Sequence, residues 1–230
     1  MTTEKKKDHV AIMSFNNNPN IGLYAFTTDQ ICLVGEEVSD DQMDVLKDVL
    51  DVPVHRIRIA GTSLIGVFCA GNSSKLLVPY IIQEEEEEEL RKLGITYSKI
   101  SSKLTALGNI ISANDHGAVA TPDFSDREIK EISEALGTTV KRGKISELNN
   151  MGSCLKVNNI GGVVHSGIST AEIRFIEDTM RIEIVDGTIN MGSPYVSSGI
   201  IANSKGFVVG SQSAGPEITN ADIGLGFLKD

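Results

Sequence analysis

Residues 158–167 read NNIGGVVHSG and place His165 directly before Ser166, behind paired glycines. A base beside a hydroxyl is the start of a nucleophilic site, which an acid orienting the base would complete. Cys32, Cys69 and Cys154 are the other candidate nucleophiles. Each lies in an apolar stretch (ICLV, VFCAG and GSCLKV), and side chains in such stretches belong in a core. They share no CxxC spacing and no close histidine. Isolated thiols in odd number point to a reducing compartment rather than a disulfide framework. His9, His55, His116 and His165 are scattered one to a segment, so no metal site is expected.

The chain that must position these residues has 230 residues, enough for one large domain or two small ones. It is acidic, with 21 Lys and Arg against 31 Asp and Glu and a formal net charge of −10. Six of the acids form one run, Glu84 to Glu89. Such a balance disfavours tracking of bare phosphate backbone, so DNA is not expected as a partner, and it suits basic proteins better. The clusters Lys5-Lys6-Lys7 and Lys141-Arg142-Lys144 read as solvated surface. The opening MTTEKKKDHV has no long apolar stretch, and no later run approaches the ~20 apolar residues of a membrane span. A soluble, cytoplasmic protein with no membrane partner is expected.

The elements repeat. Apolar strands end at Val34, Val78, Ala120, Val164 and Val209, in steps of 44, 42, 44 and 45 residues. Five residues beyond three of these ends stand Ser39, Ser125 and Ser169, opening SDDQ, SDRE and STAE. This is the capping-box pattern, in which the serine accepts from an orphan N–H of the first helical turn and the acid or amide reaches back. Apolar residues then recur at helical spacing: Met43, Leu46, Leu50; Ile129, Ile132, Leu136; Ile173, Ile176, Met180. In the second repeat Gln83 stands at the cap, and the glutamate run complements the helix dipole behind it. After each helix a further strand-like segment ends in Gly61, Gly108, Gly152 or Gly192, each followed by a small polar residue.

The unit is therefore strand, strand, helix, strand, present five times, in the α+β class. The fifth copy lacks its last strand, and HVAIMSFNNN at the start of the chain resembles HRIRIAGTS. A ring closed by the N-terminal strand accounts for both loose ends and removes exposed edges. One domain without linkers is expected, with repeats near 16–61, 62–108, 109–152, 153–192 and 193–230 plus 9–15. Two domains split near Gly108 would make the repeats coincidental. With the copies overlaid, NNIGGVVHSG is the fourth turn and strand, and the place of His165 is held elsewhere by Gly35, Pro79, Thr121 and Gly210. His165 and Ser166 have no obligatory chemistry there.

Five such units around a pseudo-fivefold axis resemble the pentein, or α/β-propeller, superfamily. That superfamily includes guanidine-modifying enzymes that use a cysteine near the chain end; here no cysteine follows Cys154. NIGLYAFTTDQICLV, IAGTSLIGVFCAGNSSKLLVP, KLTALGNIISANDHGAVATPD, GSCLKVNNIGGVVHSGIS and INMGSPYVSSGIIANSKGFVVG, in that order, resemble a closer family, translation initiation factor 6. The end at Asp230 makes the chain similar to archaeal members.

That resemblance implies a non-catalytic protein, without cofactor and monomeric. It would bind the large ribosomal subunit, prevent its association with the small one and take part in late large-subunit maturation. The implied contacts are chiefly ribosomal protein uL14, with a neighbouring L24e-type protein and proximity to the sarcin–ricin loop. The matched motif LGNI points to Asn109 on the ribosome-facing rim. By repeat register Asn16, Thr62, Ser63, Ser153 and Ser193 are expected beside it. A guanidine-modifying hydrolase or a propeller scaffold with another partner are the alternatives.

Overall fold

The computed structural model describes residues 8–228. The Lys5-Lys6-Lys7 cluster lies outside them. Fifteen strands form five three-stranded sheets. The first blade holds β2 (Ala25–Thr27), β3 (Cys32–Val34), helix α1 (Asp40–Leu50) and β4 (Val54–Arg56). The second holds β5 (Ala70–Gly71), β6 (Leu76–Pro79), α2 (Glu84–Lys92) and β7 (Tyr97–Ile100). The third holds β8 (Ile111–Ala113), β9 (Gly117–Ala120), α3 (Asp126–Leu136) and β10 (Thr139–Arg142). The fourth holds β11 (Leu155–Val157), β12 (Gly161–His165), α4 (Thr170–Met180) and β13 (Glu183–Gly187). The fifth holds β14 (Ile200–Ala202), β15 (Phe207–Gly210) and α5 (Gly215–Gly224), and takes its third strand from β1 (Val10–Met13).

In every blade the first two strands are an antiparallel hairpin, and in the first four the helix returns the chain so that the third strand runs parallel to the second. β1 supplies that third strand in parallel register, Val10 opposite Phe207 through Met13 opposite Gly210. The ring is closed by its own leading strand, as the repeat arithmetic requires.

The helices start where the caps place them. Ser39, Ser125 and Ser169 each accept from the third helical N–H, and Gln42, Glu128 and Glu172 reach back to the cap N–H. Their apolar stripes bury Leu46 and Leu50, Ile132 and Leu136, and Ile176 and Met180 in successive cores between blades. Burying one such side chain stabilises the fold by about 2 kcal/mol.

The third helical residue also ties blades together. Gln42 Nε2 donates to the Ser14 carbonyl at 2.8 Å, and Glu172 accepts from Ser146 N–H at 2.8 Å. Glu217 accepts from Met191 and Gly192 N–H at 3.1 and 2.8 Å. In the glutamate run the equivalent is Glu86, buried, accepting from Ala60, Gly61 and Gln83 N–H at 2.8, 2.8 and 2.9 Å. The run thus contains one structural anchor besides its dipole-complementing surface. Next to it, Glu87 is held below the usual carboxylate range by Lys99 and then Tyr97, which donate to it at 2.8 and 2.7 Å.

Before each hairpin the chain makes a short helical turn: Ile21–Tyr24, Ile65–Phe68, Leu107–Ile110, Met151–Cys154 and Val196–Gly199. These five turns touch one another in a closed circle around the axis. Gly108 and Gly152 sit where an added Cβ would collide with the carbonyl oxygens of Gly66 and Gly108 respectively. Backbone meets backbone there, and no side chain fits between.

Candidate functional site

The five helical turns and the turns leading into them lie at one end of the propeller, because every second and third strand runs toward that end. The hairpin tips form the other end. All six residues expected at the site are at the first end, but in two separate sets.

Asn109 and Ser153 belong to the axial turns, and Ser153 Oγ donates to Asn109 Oδ1 at 3.2 Å across the boundary between the third and fourth blades. With Leu23 and Ser198 they surround the mouth of the axis. Asn16, Thr62 and Ser193 lie instead in tight turns upstream, closed by the bridges Phe15–Asn18, Ile59–Thr62 and Ile189–Ser193. Ser63 follows one of these turns and donates from Oγ to Glu37 Oε1 at 2.5 Å. The equivalence drawn from glycine followed by a small polar residue is therefore corrected: Thr62 and Ser193 are not counterparts of Asn109 and Ser153.

The physical reason is that glycine is used for two purposes. Gly61 and Gly192 take φ of +74° and +96° in tight turns, whereas Gly108 and Gly152 are needed for close approach. The true counterparts of Asn109 are Leu23, Val67, Ser153 and Ser198. A signal for them exists. Gly22, Gly66, Gly108, Gly152 and Ser197 each follow an apolar residue and are spaced by 44, 42, 44 and 45, the steps of the strands themselves.

The upstream turns form a strained rim. Asn16, Asn17, Ala60, Ser146, Glu147, Asn190 and Met191 all have positive φ. Left-handed backbone costs a non-glycine residue on the order of 1 kcal/mol, and here flanking bridges and the anchors from Glu86, Glu172 and Glu217 hold it. Met191 at one tip is 79% exposed.

Behind the axial mouth lies a cavity of about 60 Å³ lined by Thr27, Ser112, Lys156 and backbone of all five blades. The Lys156 ammonium has no hydrogen bond or ion pair among the described residues, and burial pushes it down to about 8. The thiols are not poised for attack. Burial pushes Cys32 up to about 12 and Cys154 to about 11, and raises Cys69 as well, so all three stay protonated at neutral pH. His165 Nδ1 accepts from Gly167 N–H at 2.9 Å, and no hydrogen bond joins it to Ser166 among the described residues. No group of three or more His, Cys, Asp or Glu side chains could hold a metal among the described residues.

The sequence pattern of the eIF-6 family matches residues 10–222, which spans all five blades. The chain belongs to the eIF-6 family. Among its eIF-6 relatives, a protein named Translation initiation factor 6 from Thermococcus onnurineus is 38% identical over 226 residues, covering 96% of this chain and 99% of that one. One of the same name from Pyrococcus horikoshii is 36% identical, covering 96% and 100%. Among solved structures, a dimethylarginine dimethylaminohydrolase adduct is similar at a TM-score of 0.49 and 14% identity, covering 76% of this chain and 69% of that one. The eIF-6 match takes in the axial turns and all the upstream turns, so both sets of residues lie inside the family's region.

Proposed function

We propose that this protein is a translation initiation factor that binds the large ribosomal subunit through the end bearing Asn109 and Ser153. Bound there, it sterically blocks the small subunit and accompanies late maturation of the large one. The single observation that carries this reading is the eIF-6 family match across residues 10–222. The proposed contacts are chiefly ribosomal protein uL14, with an L24e-type neighbour and the sarcin–ricin loop close by, and the protein acts as a cytoplasmic monomer.

The physical chemistry supports a wedge. A chain of net charge −10 is repelled by bare rRNA and attracted to basic ribosomal proteins, which favours encounter and register. An interface of about 1,600 Å² is enough for nanomolar binding, and exclusion of the small subunit then needs only bulk. No chemistry is required, and protonated buried thiols offer none.

The test is sucrose-gradient sedimentation of purified subunits with and without the protein. Co-migration with the large subunit and loss of joined ribosomes is the expected result. Asn109→Arg should abolish co-migration while the circular dichroism spectrum and melting curve stay those of the parent. Failure of the parent protein to co-sediment would instead favour a scaffold with another partner.

A further inference from the structure

At the hairpin end the blades are stitched by asparagines. Asn114 Nδ2 donates to the Asn158 and Met180 carbonyls at 3.1 and 3.0 Å, and Asn158 Nδ2 to those of Asn203 and Leu225 at 3.0 Å each. Asn203 Nδ2 donates to Thr28 and Leu50 at 3.2 and 2.8 Å, and Asn72 Nδ2 to Leu136 at 3.0 Å. Each asparagine thereby ties its hairpin to the end of the next blade's helix.

The seam from the first blade to the second is the exception. Thr28 holds the asparagine position, and its hydroxyl accepts from Gln30 N–H within its own turn at 3.2 Å. No hydrogen bond joins the first hairpin tip, Thr28 to Ile31, to the second hairpin or to the end of α2 among the described residues. Two further features hold this seam open. In the third to fifth hairpins Gly117, Gly161 and Gly206 let a helix carbonyl of the next blade come close, but the first hairpin has Ile31 and the second Lys75 there. And α2 has nine residues, whereas the helices of the other blades have ten or eleven.

The gap is a cavity of about 390 Å³, within the range of small-molecule pockets. Phe26, Ile31 and Ile95 are among its apolar lining, Thr28, Asn72 and Ser74 among its neutral polar lining, and Lys75 and His55 are its ionisable groups. Neither the Lys75 ammonium nor the His55 ring has a hydrogen bond or ion pair among the described residues. No Asp or Glu lines it, although the chain carries 31 of them. Walls of mixed apolar and neutral polar side chains, with one unpaired ammonium and no carboxylate, select a singly charged anion with an apolar body. Polyanions lack enough cations there, and amines meet Lys75.

We propose that this seam binds a small amphipathic carboxylate, an acyl or aryl acid whose apolar part fills the cavity while its carboxylate pairs with Lys75. The site lies at the end opposite Asn109 and is independent of the subunit-binding reading. Titration of the full chain with octanoate, followed by ¹H–¹⁵N chemical shifts, tests it. Saturable shifts centred on residues 26–33, 72–76 and 93–96 are expected. Lys75→Glu, at a partly exposed position outside the core, should weaken binding by about tenfold or more, and 1-octanol should bind correspondingly more weakly than octanoate. Thr28→Asn should supply the missing stitch, raise the melting temperature and weaken octanoate binding. Absence of saturable shifts, or equal affinity for octanoate in the parent, Lys75→Glu and Thr28→Asn proteins, would overturn the proposal.

Discussion

The Cβ that Gly66 lacks would collide with the carbonyl oxygen of Gly22 in the neighbouring blade. Gly22 stands in the same relation to Ser197, Gly108 to Gly66 and Gly152 to Gly108, so backbone packs on backbone around the axis. Only the fifth member, Ser197, carries a side chain. Gly66→Ala and Gly108→Ala should therefore each cost about 3 kcal/mol or more, because backbone on both sides has no rotamer to yield. Ser197→Gly should cost less than about 1 kcal/mol. Thermal melts of the three variants decide it, and equal losses would show that the ring does not set the blade spacing.

Within the glutamate run, one residue should matter far more than its neighbours. Glu86→Gln weakens a buried acceptor of three backbone N–H groups and should cost about 2 kcal/mol in urea unfolding. Glu88→Gln touches only an exposed pair with Lys92 and should stay within about 0.5 kcal/mol. A run of uniform surface charge would give the two variants the same midpoint.

Lys156 should make stability rise with pH between about 8 and 10.5. Its folded value of about 8 lies below the ordinary 10.5, so between the two the unfolded chain binds more protons and each pH increment favours the native state. At neutral pH the uncompensated ammonium in the axial cavity is a cost, reduced by whatever solvation the cavity provides. Lys156→Met should add about 1–3 kcal/mol at pH 7 and flatten the pH 8–10 slope. Unfolding at pH 7 and pH 10 checks both, and an unchanged slope would remove Lys156 as its source.

Asn158 joins three elements with one side chain, accepting from Ile160 and Gly161 N–H at 2.7 and 2.8 Å besides its two donations. Asn158→Ala leaves buried carbonyls and amides without partners and should cost about 3 kcal/mol or more. Hydrogen exchange should show the loss at the seam between the fourth and fifth blades first; uniform deprotection would argue against a local stitch.

If the axial mouth is the ribosome-facing contact, its members should act together. Ser153→Arg and Ser198→Arg should then weaken co-sedimentation by about tenfold or more, as is expected of Asn109→Arg. Binding lost through Thr62→Arg and retained in these two would move the contact to the strained upstream turns.

The repeat, the caps and the closing strand could be read from the residues, because each rests on a local pattern. Ser39 with Gln42, Ser125 with Glu128 and Ser169 with Glu172 lie within one helical turn, and alternation or helical spacing marks what each element buries. The candidate site was less legible. Glycine followed by a small polar residue puts Ser153 in the register of Asn109, but it puts Thr62 and Ser193 there too, because glycine in a tight turn and glycine at a close approach are the same letter.

The sequence by itself determined five units, their order and the strand that seals the ring, since hydrophobic period and capping act between residues a few positions apart. Only the tertiary structure decided that Glu86 is an anchor, that Lys156 faces the axis without a partner and that the Thr28 seam stays open. Those properties depend on what a neighbouring blade, more than forty residues away along the chain, presents at each position, and nothing local to the residue encodes it.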